Sequence, residues 1–123
     1  MAVPEGSREA VAATDVQAPG LRVALRAQGT TTTMDVEGEW GMAERDATIR
    51  ALEQALARRP ECLVLDLSGV TFIDSSGIHV VVIAAKRCAE EDVRIVIIPG
   101  PPHVHRVFEI CQLTTQLPFA AQV

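Results

Sequence analysis

The chain has 123 residues, of which 48% are apolar and 22% are charged, and its formal net charge is −5 at pH 7. This length and this hydrophobicity are typical of one globular domain and argue against a disordered chain. The acidic balance argues against direct nucleic-acid binding, which needs a basic face. No apolar run approaches the roughly 18 residues of a membrane span, and Glu5 and Glu9 make the N-terminus unlike a secretory signal. We therefore expect a cytoplasmic protein without membrane insertion.

Hydrophobic periodicity predicts the first elements of the fold. Residues 1–20 show no sustained period and are predicted to form a flexible tail. Apolar residues then alternate from Leu21 and again within the segment 30–40, which predicts two strands joined by a turn at Gln28-Gly29. The period changes to that of an amphipathic helix between Met42 and Arg59.

The rest of the chain alternates between strands and helices. A nearly continuous apolar run predicts a strand from Cys62 to Leu67 that is buried on both faces. A connection over 68–74 leads to a helix over 75–90 and then to a strand over 93–98. The last proline of the segment 99–102 can open a third helix. The predicted fold is therefore α/β, a mixed sheet covered by helices in the order β-β-α-β-α-β-α, followed by a short C-terminal tail over 119–123.

The most informative motif is Asp74-Ser75-Ser76-Gly77, at the predicted junction between a strand and a helix. Asp74 or Ser75 can act as the N-cap, because its side-chain oxygen can accept a free backbone N–H of the first turn. A phosphate on a first-turn serine would meet the positive end of the helix dipole. It would also add about −1.5 to −2 charge beside Asp74, and this charge would disfavour binding of a partner at this surface. On this physics alone, the tetrapeptide is also explained as a plain helix cap.

The helix over 75–90 carries apolar residues around most of its circumference. The expected core face consists of Ile78, Val81, Val82 and Ala85. Val80, Ile83 and Ala84 extend the apolar character beyond that face. Such a helix is either fully buried or partly offered to a partner, and the sequence leaves both readings open.

The stretch from Leu63 to Ile78 closely resembles the STAS domain of the anti-sigma factor antagonists, also called anti-anti-sigma factors. In that family a strand ending in Leu-Asp-Leu leads through an apolar turn to Asp-Ser-Ser-Gly at the start of a helix. The resemblance covers about residues 21–118 and implies a single STAS domain over this range. It also implies that Ser76, with Ser75 as the second choice, is the phosphorylation site.

The resemblance implies a regulatory function without catalysis. The unphosphorylated form would bind an anti-sigma factor, usually a serine kinase, and thereby free a sigma factor for transcription, as in a stress response. Phosphorylation by that kinase would break the complex, and a serine phosphatase would restore it. The residues predicted to contact the partner are Asp74, Ser75, Gly77, His79, Val80, Ile83 and Glu39.

One departure from the family pattern concerns the end of the second predicted strand. Gly41 stands where the family commonly has an aspartate near the phosphorylation site. The nearby acids Glu39, Glu44 and Asp46 are candidates to replace it.

Two other classes of function compete with this one. In the first, the chain is a STAS docking subunit of a lipid-transport or stress-signalling complex, and its helix over 75–90 binds permanently without a phosphate cycle. In the second, Ser75 or Ser76 is an enzyme nucleophile. The serines lack the Gly-x-Ser-x-Gly elbow and an assignable base, so no catalytic residue is predicted. The cysteines and histidines show no metal-ligand spacing, and neither a metal nor a cofactor is expected.

Overall fold

The computed structural model of the protein describes residues 12–120. Within this range the chain forms five strands and three α-helices in the order β-β-β-α-β-α-β-α, with a short 3-10 helix before the first α-helix. The elements are β1 (Ala12–Ala18), β2 (Leu21–Gln28), β3 (Thr31–Trp40), the 3-10 helix (Met42–Glu44), α1 (Arg45–Ala57), β4 (Cys62–Ile73), α2 (Ser75–Glu90), β5 (Arg94–Ile98) and α3 (Pro102–Ile110).

The five strands form one mixed sheet in the order β1-β2-β3-β4-β5. The first three strands are antiparallel. The pairs β3/β4 and β4/β5 are parallel, as required when a helical crossover joins neighbouring strands. This topology confirms the predicted α/β class and the mixed sheet with its helices. None of the helices among the described residues is both long and apolar enough to cross a membrane.

The strand β1 corrects the prediction that residues 1–20 form a flexible tail. It pairs with β2 in antiparallel register along its whole length, from Ala12 opposite Ala27 to Ala18 opposite Leu21. Alanine and polar residues dominate β1, so the sequence shows no hydrophobic alternation there. Backbone pairing with the neighbouring strand decides its conformation instead. Residues 1–11 of the predicted tail lie outside the described residues.

The apolar core lies on one face of the sheet, where all three helices pack. Alternate residues of the central strands point into it, including Val23 of β2, Val36 of β3 and Leu65 of β4. The helices add apolar residues to the same cluster, namely Ala51, Leu52, Ala55 and Leu56 of α1, Ile78, Val80, Val81, Ala84 and Cys88 of α2, and Val104 and Phe108 of α3.

The opposite face of the sheet is partly exposed. Val64 and Asp66 of β4 are only half-buried, so the prediction that this strand is buried on both faces is wrong. On the same face Arg26 of β2 forms an ion pair with Asp35 of β3. Burial raises the pKa of Asp35, although Arg26 acts in the opposite direction. The strand is apolar because its other residues face the helices, not because helices cover both sides.

The segment that follows α3 corrects the predicted C-terminal tail over 119–123. The Ile97 N–H of β5 donates to the carbonyl oxygen of Pro118 at 3.0 Å, and the Ala120 N–H donates to that of Ile97 at 2.7 Å. The Phe119 ring packs edge-on against Phe108, with ring centroids 5.1 Å apart. Residues 118–120 therefore cover the β5 edge of the sheet, whereas residues 121–123 lie outside the described part of the chain.

Candidate functional site

The candidate site lies where β3 and β4 end and α2 begins. Parallel strands bring their carboxyl ends to one edge of a sheet, and the register places Trp40 of β3 beside Ile73 of β4. The Asp74 N–H then donates to the carbonyl oxygen of Trp40 at 3.2 Å. β4 extends to Ile73, beyond the predicted end at Leu67. The serine motif therefore begins directly at this edge of the sheet.

Asp74 is the N-cap of α2, as its position in the motif predicts. Its backbone is extended, and its Oδ1 accepts hydrogen bonds from the N–H groups of Ser76 at 2.8 Å and Gly77 at 3.4 Å. These bonds satisfy two of the donors that a helix leaves free at its start. The cap therefore fixes the first turn, which carries both serines.

Gly77 allows the first turn of α2 to approach the sheet closely. A Cβ atom at this position would lie 2.6 Å from Cγ1 of Ile73 and 3.0 Å from the carbonyl oxygen of Trp40. Both distances are shorter than van der Waals contact, so only glycine fits. Gly77 is itself buried. The structure therefore gives it a packing role and contradicts its prediction as a residue that contacts a partner.

The two serines differ in their exposure. Ser75 is exposed, and Ser76 is half-buried. His79, one turn further along α2, is also exposed. No hydrogen bond joins either serine hydroxyl to a histidine within residues 12–120, and the site accordingly shows no nucleophile–base pair.

The other two histidines belong to the α3 region. His103 donates from Nε2 to the carbonyl oxygen of Thr71 at 2.7 Å, which ties the start of α3 to β4. The His105 ring packs against Phe119, with ring centroids 4.7 Å apart. Both side chains thus support packing between elements.

Sequence reasoning missed the structural role of Glu44. This side chain is only 6% exposed. Its Oε1 accepts from the Gly41 N–H at 2.8 Å, and its Oε2 accepts from the Gly20 N–H at 3.2 Å. The Glu44 side chain reaches back to the Gly41 N–H as in one half of a capping box. Gly41 has no side chain to form the other half, so the sequence lacks the usual Ser/Thr signal.

The acids near Gly41 are not equivalent. Glu44 is committed to backbone N–H groups and cannot replace a partner-facing aspartate, whereas Glu39 and Asp46 are exposed. A Cβ atom on Gly41 would lie 3.2 Å from Oδ2 of Asp74. An acidic side chain at this position would therefore start beside a second carboxylate, which favours glycine here.

The core face of α2 differs from the predicted one. Val80 is only 1% exposed, so the prediction that it contacts a partner is wrong. Val82 and Ala85, which were predicted to face the core, are half-buried, as is Ile83. The helix is rotated relative to the predicted core face. Its accessible apolar surface lies on the side of Val82 and Ile83.

Comparisons with known proteins agree with the fold. A family model described as the Mlab, STAS domain matches residues 23–118. The structure of an anti-sigma factor antagonist from Mycobacterium paratuberculosis is similar with a TM-score of 0.75 and 21% identity, over 84% of this chain and 87% of that chain. No protein of curated function matches the sequence significantly.

Two further similar structures are of SpoIIAA, which is described as a cell fate determinant of Bacillus. Its unphosphorylated form, described as an anti-sigma factor antagonist, has a TM-score of 0.67 and 18% identity, over 81% of this chain and 89% of that chain. Its phosphorylated form, from Bacillus, has a TM-score of 0.62 and 17% identity, over 81% of this chain and 92% of that chain. At these identities the likeness shows a common fold.

Proposed function

The chain belongs to the STAS domain family, and on this basis we propose that it is an anti-sigma factor antagonist controlled by phosphorylation at the start of α2. The observation that carries the proposal is the pair of serines in the first turn of that helix, of which Ser75 is exposed and Ser76 half-buried. The similarity to antagonist structures, one of them phosphorylated, supports the same function. Ser76 is the proposed phosphorylation site, and Ser75 is the second choice.

The charge around Asp74 explains how a phosphate would act. The Asp74 carboxylate already accepts the N–H groups of Ser76 and Gly77. A phosphate on Ser76 would therefore find these donors occupied and a like charge close by. Its charge of about −1.5 to −2 would be directed to the solvent side of the helix start. The fold would persist, but a partner would have to desolvate this charge, so the complex would dissociate.

The proposed contact surface surrounds the serines. It includes Asp74, Ser75, His79 and Glu39, whose side chains are exposed or half-buried. Ile83 is half-buried on the same helix and extends the surface along α2. The expected partner is an anti-sigma factor with serine kinase activity, and a serine phosphatase would reverse the modification.

A kinase assay tests the phosphorylation site. A purified anti-sigma factor kinase with ATP should phosphorylate the wild-type chain, and mass spectrometry should place the phosphate on Ser76. Ser76→Ala should abolish the modification. Ser68→Ala, which alters another exposed serine, is the control and should be modified like the wild type. Unchanged modification of the Ser76→Ala variant would remove this assignment.

An affinity pull-down tests the switch. The Ser76→Ala form should retain the kinase, whereas Ser76→Asp should release it because the added charge lies at the contact surface. Equal retention of the two forms would argue against control by charge at this position.

The half-buried apolar side of α2 supports a second candidate function. Val82, Ile83 and Ala85 are accessible enough to contact a permanent partner, as in a docking subunit of a lipid-transport or stress-signalling complex. In that case a transporter ATPase should co-purify with the chain, and Ser76→Ala and Ser76→Asp should bind it equally.

A further inference from the structure

A single buried tryptophan supports the first turn of α2. Trp40 ends β3, is fully buried and is the only tryptophan of the chain. A Cβ atom on Gly77 would lie 3.0 Å from Cγ of the indole and 3.0 Å from the Trp40 carbonyl oxygen. The same carbonyl oxygen accepts the Asp74 N–H at 3.2 Å. Both the ring and the backbone of Trp40 therefore lie directly against the turn that carries Ser76.

The indole of Trp40 is held in place by a hydroxyl group of α1. Its Nε1–H donates to Oγ1 of Thr48 at 3.2 Å, and Thr48 is itself fully buried. A buried indole N–H needs an acceptor, because leaving it unpaired costs its full desolvation. Rotation of the ring away from Thr48 would break this bond. The hydrogen bond therefore selects one orientation of the ring.

The Thr48 hydroxyl is in turn fixed by the backbone. It lies 3.0 Å from the carbonyl oxygen of Glu44 and 2.9 Å from that of Arg45, and it donates its one proton to one of them. The Glu44 carboxylate accepts the N–H groups of Gly41 and Gly20. A buried polar network whose members are all bonded is rigid. The orientation of the indole therefore depends on α1 and the turn before it, and not on α2 alone.

We propose that Thr48 is a positioning residue for the phosphorylation of Ser76. Its hydroxyl fixes the indole of Trp40, and the indole fixes the first turn of α2 against the end of β3. The inference rests on the proposed function, because it concerns the same modification. Thr48 would act without contacting the kinase, since its side chain is buried.

The chemistry of phosphoryl transfer explains why position matters here. Oγ of Ser76 forms a bond to the γ-phosphorus of ATP, the bond from that phosphorus to ADP breaks, and the hydroxyl proton passes to a base of the kinase. The attacking and leaving oxygens must lie roughly in line. A displacement of about 1 Å can slow such a step by about 100-fold. A turn that is held less firmly would therefore present the hydroxyl less often in the reactive geometry.

Steady-state kinetics of a purified anti-sigma factor kinase with ATP test the role of Thr48. Thr48→Val keeps the shape of the side chain but leaves the indole N–H without its acceptor, and kcat for modification of Ser76 should fall about 10-fold. KM should change by less than about threefold, because the exposed Ser75 and His79 are unaltered. Thr48→Ser keeps the hydroxyl and should restore kcat. Trp40→Phe deletes the indole N–H instead, and it should reproduce the loss of kcat even if Thr48→Val does not fold.

A second buried substitution separates positioning from stability. Ile97 is also fully buried, but it lies in β5, which β4 separates from β3. Ile97→Val removes buried atoms and should lower the midpoint of thermal unfolding, yet it should leave kcat at the wild-type value. All variants are assayed well below their unfolding midpoints.

Intrinsic fluorescence follows the indole without any kinase. The chain has one tryptophan and no tyrosine, so its emission reports on Trp40 alone. Acrylamide should quench this emission more strongly in Thr48→Val than in the wild type or Thr48→Ser, and equal quenching in all three would contradict the inference.

The kinetic outcomes distinguish this inference from the proposed function. If Thr48→Val is phosphorylated with the wild-type kcat, or if Ile97→Val loses as much of its kcat, the positioning role is refuted while the proposed function stands. If the wild type is not phosphorylated on Ser76, the proposed function fails and this inference fails with it.

Discussion

The two ends of α2 are attached to the rest of the domain by different means. At the N-terminal end, the Asp74 cap and the close approach of Gly77 to Trp40 fix the helix through hydrogen bonds and geometry. At the C-terminal end, Cys88 is fully buried in the core, and Arg87 forms an exposed ion pair with Glu91 at 2.9 Å. The comparison shows that burial holds both ends of the helix, whereas only the N-terminal end, which carries the two serines, adds a side-chain cap and a close approach to the sheet.

The largest expected change in the free energy of unfolding comes from Cys88, at the C-terminal end of α2, and depends on pH. Burial raises the pKa of Cys88 from the ordinary value of 9.0 to about 11. The thiol of the unfolded chain loses its proton first, so the free energy of unfolding should fall as pH rises from 9 to 11. At 1.36 kcal/mol per pKa unit, the full loss is about 2 to 3 kcal/mol.

Chemical denaturation between pH 8 and pH 11 measures this loss. Cys88→Ala should be less stable at every pH because it removes buried atoms, but its stability should decline less steeply above pH 9. Parallel declines in the wild type and the variant would show that burial of this thiol does not control the pH dependence.

The second prediction tests the close approach of the N-terminal end of α2 to the sheet. Gly77→Ala places a methyl group 2.6 Å from Cγ1 of Ile73. Overpacking of this kind costs about 1 to 3 kcal/mol, whereas the higher helix propensity of alanine returns at most about 1 kcal/mol. We expect a net destabilisation of about 1 to 2 kcal/mol in urea denaturation. Ser75→Ala changes an exposed residue in the same turn and should cost less than about 0.5 kcal/mol. Equal stability of the two variants would contradict the close approach.

The third prediction concerns the cap. Asp74→Ala removes the acceptor for two N–H groups and should lower the free energy of unfolding by about 1 kcal/mol. Asp74→Asn keeps an acceptor oxygen in the same place and should recover most of this loss. Thermal unfolding of both variants, with hydrogen exchange of the Ser76 and Gly77 amides, measures the effect. Faster exchange in Asp74→Ala but not in Asp74→Asn is the expected pattern, and similar exchange in both would disprove the cap.

The helices were largely predictable because their signals are local. The bounds of α2 agree with the predicted range of 75–90, since Asp74 is a good N-cap and the apolar period continues to Cys88. Pro102 opens α3 as predicted, because its ring fixes a helical φ and its missing N–H is not needed there. The alternation that begins at Leu21 likewise marks the buried face of β2.

The choice of contacts within these elements was less predictable. The period of α2 allows either Val80 or Val82 to face the core, because apolar residues surround the helix. The rotation that buries Val80 is set by the fit of Gly77 against Trp40, a contact between residues 37 positions apart. Glu44 likewise became a buried acceptor because the turn before β2 brings Gly20 to it. Such contacts depend on segments that are distant in the chain, so they produce no periodic pattern in the neighbouring sequence.

By itself, the sequence determined the α/β class, the positions of the helices and the serine motif at a helix start, because periodicity and capping act over a few neighbouring residues. The tertiary contacts decided that β1 joins the sheet and that one face of the sheet lacks helices. These outcomes depend on which segments pair across the sheet, and pairing energy is gained only when distant parts of the chain meet.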